Sequence, residues 1–551
     1  MRLGFLSSNR GLRCGRLKRA ADGPRDESLQ YLEFTIALFT RPGSGGYGPK
    51  ALWNRTTAHM EPPVFFGSAA MVVLFVALGA GFTEPAGAAF EASQTWVTRT
   101  FGWWYMLAAT AFVILAVVLV ASPARKIRIG GQSAKPAFSR LSWAAMLFAA
   151  GMGTGLVFWS VAEPLTHYVD PRPGFDAETP EAAREAMRLA YFHWGLNPWG
   201  IYSILALAVA FLHFNKDLPL APRAVLHPLF GEQVMKGPAG HGVDTLCTVG
   251  TLLGVSTSLG LGAMQINAGL ERFVDWPMAT GVQAGLIAAI TALATLSVVI
   301  GLKGGLRRLS EITLVLAFAI LLFVFIAGPT GKIMETLVGS TGLYLQSWPR
   351  STLFVDFTRD NDWQAIWTLF YWGWWISWAP FVAIFVARIS KGRTVGEFVI
   401  VVLTVPTLAT FFWMAVFGGS ALELQVSDAA DFARSVADEP AIGLHALLEH
   451  LPLASLTTAL ATLVIALFFV TSSDSGSFVD DMVTSGGDPD PPRAQRVFWA
   501  VSEGGVAITL LLAGGLSAIR NASITLGLPM SLVLGLSAAA VIKVLLVDRG
   551  K

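Results

Sequence analysis

Runs of about twenty apolar residues recur along this chain from residue 63 to residue 546, and that recurrence limits the fold more than any other feature. A helix rises about 1.5 Å per residue, so ~20 residues cross the ~30 Å hydrocarbon layer of a bilayer. Twelve such runs stand near 63–83, 104–122, 142–164, 189–213, 244–270, 278–301, 312–328, 363–387, 397–418, 453–475, 496–515 and 521–546. Only 14% of the 551 residues are charged, against about 25% in ordinary soluble domains, and the mean hydropathy is +0.57. The sequence therefore reads as an all-α polytopic membrane protein with twelve transmembrane helices, not as a string of soluble domains. A net charge of +2 leaves no bulk excess to attract nucleic acid. The two cysteines, Cys14 and Cys247, form neither a disulfide framework nor a metal-ligand spacing.

Charge in the loops sets an orientation. Arg125, Lys126, Arg128, Lys135 and Arg140 follow the second run, Lys303, Arg307 and Arg308 the sixth, and Arg388, Lys391 and Arg393 the eighth. By the positive-inside rule these loops and both termini are cytoplasmic, in a plasma or inner membrane. The loop 419–452 agrees, with Glu423, Asp428, Asp431, Asp438, Glu439 and Glu449 against one base, Arg434. Residues 1–59 read as a disordered basic leader whose Tyr31–Phe39 patch is too short to span. Met60, directly before Glu61-Pro62-Pro63, offers a second start for translation, and both readings stand. The remaining boundaries are two leading helices in 60–141, five helices in 142–328, an extracytoplasmic connector in 329–362, five more helices in 363–546 and a short tail in 547–551.

Gly151, Gly153 and Gly155 occupy alternate positions in the middle of the third run, each disfavouring a helix by about 1 kcal/mol relative to Ala. Close helix packing through small residues is one reading; an unwound segment whose bare backbone approaches a ligand is the other. The eighth run repeats the pattern with Gly373 and Pro380 inside YWGWWISWAP, five runs later. Two five-helix repeats, each opening on a broken helix, match the inverted-repeat plan of secondary transporters. Eighteen tryptophans are many. An interfacial belt explains Trp53, Trp103 and Trp104, but Trp374, Trp375 and Trp378 lie about a dozen residues inside their run. Trp194, Trp199 and Tyr202 follow at offsets of five and eight, which one continuous helix would spread over roughly 12 Å of a broad side. Ring faces in a dry pocket are the natural partners of a quaternary ammonium, which cannot donate hydrogen bonds, at on the order of 2 kcal/mol each.

These residues resemble the betaine/choline/carnitine transporter family. The likeness runs from about Pro62 to Val547 and rests on GMGTGLVFWSVAEP (151–164), FHWGLNPWGIY (192–202), SLGLGAMQINAGL (258–270), YWGWWISWAPFVAIFVARISKGRT (371–394) and TSSDSGS (471–477). The resemblance implies two leading helices followed by a five-plus-five inverted repeat of the leucine-transporter type, often assembled as a homotrimer. It also implies an aromatic box of Trp194, Trp199, Tyr202 and Trp375, with Trp374 and Trp378 lining the route toward the cytoplasm. In choline carriers of the family an aspartate tends to stand at the place of Gly155, so Gly155 implies a zwitterion such as glycine betaine.

No cofactor is expected beyond sodium as the coupling ion. The resemblance places sodium among Ala149, Met152, Phe468, Thr471 and Ser472, although a lone Thr-Ser pair ordinarily bonds back to its own helix. A second family site is matched at Thr251 and Phe381 but carries Val255 where its other threonine belongs, so one sodium is expected. Glu163, His193 and Asp474 are the main ionisable groups inside the runs: Glu163 near the aqueous end of the third, His193 in the first turn of the fourth, and Asp474 in a Ser-rich break of the tenth where it can cap the backbone; without an obvious basic partner in sequence they read as structural. The chain lacks HExxH, GxSxG, a phosphate loop and a cysteine-histidine cluster, so no catalytic residue is assigned and an enzyme is disfavoured. The resulting expectation is a sodium-coupled importer working by alternating access on a small quaternary-ammonium zwitterion. The rivals are a proton-coupled or sodium-independent carrier of choline, carnitine or another methylated osmolyte, and, from another class, a membrane sensor.

Overall fold

The computed structural model describes residues 60–548 apart from Met152, Asp275, 301–302, 359–360, 428–430 and 489–490, and leaves undescribed the side chains of 149–151, 297–300, 303–307 and 493. The leader, the Tyr31–Phe39 patch and Trp53 lie outside the described residues.

Among the described residues all regular structure is helical, with no strand and a single antiparallel bridge, Arg128 to Thr394. The main helices are α1 Pro62–Gly81, α2 Thr83–Ala121, α3 Arg140–Gly151, α4 Thr154–Val169, α5 Pro180–Trp194, α6 Leu196–Lys216, α7 Pro238–Val274 and α8 Thr280–Ile300. They continue as α9 Lys303–Ala327, α10 Thr330–Thr352, α11 Phe370–Ile389, α12 Val395–Ser427, α13 Ala454–Thr484, α14 Arg493–Leu512 and α15 Gly515–Val541. Each of the twelve apolar runs coincides with helix. Nine helical stretches among the described residues are long and apolar enough to cross a bilayer.

Burial sorts these helices. In α1 the side chains of Met71, Val73, Leu74 and Leu78 are exposed, as a lipid-facing helix requires, whereas α6 and the middle of α7 are buried on every side. α11 packs against α6, α15 and α7, and α7 runs along α13. The site described below is therefore carried on the most enclosed helices.

The structure corrects three sequence readings. The eighth run is not interrupted: α11 is continuous from Phe370 to Ile389 with Pro380 inside it, after a π turn at Ala365–Leu369. Gly373 serves packing instead, since a Cβ there would lie 2.7 Å from Ile524 Cα on α15. The fourth run is two helices, because the chain breaks at Gly195 (φ −91°, ψ −130°), where a Cβ would meet the Tyr191 carbonyl oxygen at 2.5 Å. The amide of Leu196, freed by that break, donates to the Tyr344 hydroxyl at 3.1 Å, so the buried backbone is satisfied. Within the segment 329–362 lies α10, which packs on α5 and α12, and α12 extends to Ser427, past the end of the ninth run. Finally, no break accompanies the Ser-rich stretch around Asp474, because α13 is continuous there.

Candidate functional site

The break expected in the third run is present. α3 ends at Gly151, Gly153 is extended (φ −157°, ψ 179°), and α4 begins at Thr154. α5 starts on a conventional N-terminus, with the Thr179 hydroxyl accepting from the Ala182 amide at 3.1 Å and Pro180 in the first turn. α6 stops where Asp217 turns left-handed (φ 53°).

Trp194 comes from the last residue of α5, Trp199 and Tyr202 from α6, and Trp374, Trp375 and Trp378 from α11. The rings meet in sequence edge to face: Trp199 and Tyr202 at 5.5 Å, Tyr202 and Trp375 at 6.5 Å, Trp375 and Trp194 at 4.8 Å between centroids. All four are at most 6% exposed. The expected box is thus brought together, but by three helix segments, with Trp194 on a different helix from Trp199. Trp374 and Trp375 stack at 4.6 Å, Trp374 lies 6.2 Å from Trp378, and Trp378 stacks on Phe381 at 5.6 Å, making a ladder of rings along α11. Among the described residues, three polar atoms on these rings are buried without a partner: the Tyr202 hydroxyl and the indole nitrogens of Trp374 and Trp378. The glycine run reaches this ladder at Gly155, whose missing Cβ leaves room for the Trp374 ring; any side chain there would collide with it. Among the interfacial candidates, Trp103 is half-exposed, while Trp104 donates to Ser531 on α15 at 2.7 Å.

Behind the rings sits a carboxylate that sequence reading placed near the aqueous end of its run. Glu163 on α4 is fully buried and holds three elements together. Its Oε2 accepts from the Trp194 indole at 3.0 Å and the Tyr371 hydroxyl at 2.5 Å, and its Oε1 lies 2.6 Å from His193 Nδ1. His193 is in the last turn of α5, not the first turn of a span; its Nε2 meets Thr368 at 3.0 Å and its carbonyl accepts from Trp375 at 3.0 Å. Glu163 does have basic partners, His193 and, at 3.6 Å, His167. Sequence reading missed this hub because its donors come from α5 and α11; the available signal was its being one of the few ionisable residues inside the runs. Ligand atoms of Glu163, His167 and His193 lie within 4.8 Å of one another, which is metal-like spacing, but both Glu163 oxygens and His193 are already engaged in hydrogen bonds. Arg520 on α15 caps the cluster from outside, its guanidinium 4.9 Å from the Trp159 ring centroid and 5.1 Å from that of Trp367.

The residues expected to hold sodium are less fully displayed. Met152 and the Ala149 side chain lie outside the described residues. Phe468 is buried on α13, and the Thr471 hydroxyl donates to its own helix, to the carbonyls of Leu467 at 3.0 Å and Phe468 at 3.2 Å. Ser472 follows on the same helix, half-buried. Thr251 on α7 is buried with its hydroxyl unpartnered, on the stretch where α7 meets α11: a Cβ at Gly250 would lie 3.0 Å from the Ser377 carbonyl and one at Gly254 3.0 Å from Trp378 Cβ.

Over residues 63–549 the sequence matches the profile of BCCT, the betaine/carnitine/choline family transporters. It is 41% identical over 497 residues to the glycine betaine/proline/choline transporter of Vibrio parahaemolyticus, covering 87% of this chain and 89% of that one. With the glycine betaine transporter OpuD of Bacillus subtilis it shares 42% identity over 461 residues, 83% of this chain and 89% of the other. With the high-affinity choline transport protein of Escherichia coli K12 the figures are 39% over 499 residues, 90% and 73%.

Proposed function

The chain belongs to the BCCT family of betaine/carnitine/choline transporters, and from that premise we propose that it imports a small quaternary-ammonium zwitterion of the glycine betaine type by sodium-coupled alternating access. It is a multi-pass integral membrane protein and a transporter, not an enzyme.

The observation that carries the substrate reading is the enclosed contact of Trp194, Trp199, Tyr202 and Trp375 on three packed helix segments. Four electron-rich rings in a dry site suit a methylated ammonium and offer nothing special to a primary amine, which needs acceptors. The unpartnered hydroxyl of Tyr202 and the indole N–H groups of Trp374 and Trp378 are donors, which suit the carboxylate of a zwitterion. Choline lacks that carboxylate and would call for a countercharge. The place of Gly155, where such an aspartate would enter, is filled by the Trp374 ring.

For the driving ion the reading is one sodium at Thr471 and Ser472, with backbone oxygens of Ala149, Met152 and Phe468. The second set, Thr251 and Phe381, lacks an oxygen at Val255. One sodium moved down about 100 mV and a tenfold gradient supplies about 3.7 kcal/mol, enough for several hundred-fold accumulation. The wider proposal is two leading helices in 60–141 followed by inverted repeats in 142–328 and 363–546. Both termini are cytoplasmic, and the protein is a homotrimer in the inner membrane.

Uptake into proteoliposomes across a panel of methylated ammonium compounds, with sodium or with potassium, tests this. Sodium-dependent accumulation of glycine betaine is the expected result. Better uptake of choline than of any carboxylated analogue would overturn the substrate, and indifference to replacing sodium at constant pH would move coupling to protons or exchange.

A further inference from the structure

A second fully buried carboxylate lies away from the rings, where α7, α13 and α14 meet. Glu503 sits in the middle of α14, and its Oε2 accepts one hydrogen bond, from the Ser473 hydroxyl on α13 at 2.8 Å. Among the described residues its Oε1 has no partner. That oxygen points at α13 where Gly476 leaves space: a Cβ on Gly476 would lie 2.6 Å from Oε1 and 2.8 Å from Val255 Cγ2 on α7. One α-helical turn beyond Gly476, on the same face of α13, Asp480 is 0% exposed and neither of its carboxylate oxygens has a partner.

The charged neighbours give no relief. Among the described side chains the ionisable groups acting on Glu503 are Asp480 and Asp474, both acidic. Arg496 on α14 is turned to Asp481 at 3.6 Å, and it and Arg388 on α11 lie over the Phe478 ring at 4.7 and 5.2 Å, two residues from Asp480. The ionisable group acting on Asp480 is Asp481, again acidic, and α9, which packs on α13, carries its own, Lys303, Arg307, Arg308 and Glu311, toward its N-terminus. α1 and α8, which also pack on α14, contain no ionisable residue, and those of α7, His241, Asp244, Cys247, Glu271 and Arg272, stand more than two turns from Val255. On α15 the base is Arg520, which is engaged with Trp159 and Trp367. Two carboxylates buried together with unpaired oxygens and no facing base are not stable as two anions, because neither desolvation nor mutual repulsion is compensated. A sodium ion would need a shell of oxygens around Oε1, and among the described residues no hydrogen-bonding group partners that atom, which faces the bare Gly476. A proton needs one acceptor oxygen and no shell.

We propose that Glu503 and Asp480 form an intramembrane proton-binding pair, separate from the aromatic box and from the Thr471–Ser472 pair. Below the pair toward the end of α13 the seam stays polar. Thr484 donates to the Asp480 main-chain carbonyl at 2.6 Å and receives the Gln495 amide at 2.5 Å and the Trp499 indole at 3.1 Å, hydrogen bonds that hold the backbone of the pair without reaching its carboxylates. Loss of the proton places an uncompensated charge between three packed helices, so occupancy controls how tightly α7, α13 and α14 hold together.

Infrared spectra of the purified full-length protein, free of substrate, test this directly. At about pH 7 the wild type should show a protonated-carboxyl C=O band that loses intensity in Glu503→Gln or in Asp480→Asn. Both variants retaining the whole wild-type band would overturn the proposal. Thermal unfolding of the wild type gives a second reading. Its midpoint should fall as the pH rises from about 7 to about 10, and fall less in whichever of the two variants folds. An identical pH profile in wild type and variant would overturn it equally. Neither measurement uses substrate or sodium, so a wrong substrate assignment would leave both unaffected.

Discussion

Glu163 and Glu503 are the same residue type, equally buried, at two junctions of the same helix bundle, and their surroundings are opposites. Glu163 receives an indole, a phenol and an imidazole from α5 and α11, so its two oxygens are saturated and the rings that donate to it are held in orientation. Glu503 receives one hydroxyl and faces further acids. A buried carboxylate is tolerated when donors converge on it, and where they do not, its charge has to be supplied or removed from outside. The first arrangement makes a rigid wall for the aromatic box; the second makes a place whose packing responds to an ion.

The largest effect expected from this contrast is on α13, where sodium coupling is proposed. Thr471→Ala combined with Ser472→Ala should abolish sodium-driven accumulation in proteoliposomes while leaving the ring site able to bind, as read by substrate quenching of tryptophan fluorescence. Accumulation at the wild-type level would remove the ion from this helix. Next comes the saturated junction itself. Glu163→Leu strands the hydrogen-bond donors of Trp194, Tyr371 and His193, and should destabilise the purified protein by about 3–5 kcal/mol, with Glu163→Gln losing less because it keeps one acceptor oxygen. An unchanged unfolding midpoint in the Leu variant would break the comparison. Smaller again is the loss of one ring face: Trp375→Leu should raise the apparent substrate constant at least tenfold, about 1.4 kcal/mol, and Trp375→Phe should raise it less. Equal constants at equal expression would detach the rings from binding.

The baseline for all three lies outside both junctions. Glu178 and Arg434 pair at 2.8 Å on an exposed face, and the guanidinium holds the Glu178 carboxyl below its ordinary value. A carboxyl lowered in the folded state contributes above its unfolded value, near 4.3, and that contribution is lost as the pH falls through the lowered folded value. Arg434→Ala should therefore leave the neutral-pH midpoint within experimental error, because solvent and salt screen an exposed pair. A clear drop would mean that the loop carries structural weight comparable to the buried hubs.

Much of the fold was legible because membrane helices are declared locally. Each apolar run became helix, and the break at Gly151 to Gly153 was visible as three glycines at alternate positions. Gly373 and Pro380 carried the same mark and meant something else, since Gly373 lies against the α15 backbone and α11 continues through both. A glycine in sequence does not say whether it frees the chain or admits a neighbour. Depth marked Trp374, Trp375 and Trp378 as aromatics beyond an interfacial belt, whereas the box was implied by the family resemblance, and Gly195 put Trp194 on its own helix. Glu163 and Glu503 were not: the first was read as an aqueous end, and the second lies in the eleventh run without any local sign of its surroundings.

Length and apolarity of each run, by themselves, determined a polytopic helical membrane protein, because backbone hydrogen bonds in hydrocarbon must close within the segment and leave the helix no alternative. The spacing of tryptophans along two runs likewise determined which rings were available. Which helices cross, and so which donors reach a given carboxylate, only the tertiary structure decided. The Tyr371 hydroxyl that meets Glu163 is 208 residues away along the chain, and the Ser473 hydroxyl that meets Glu503 is 30 away on another helix. Hydrogen bonds of that kind depend on positions set to within a few tenths of an ångström by packing of the whole bundle, and no local pattern of residues encodes them.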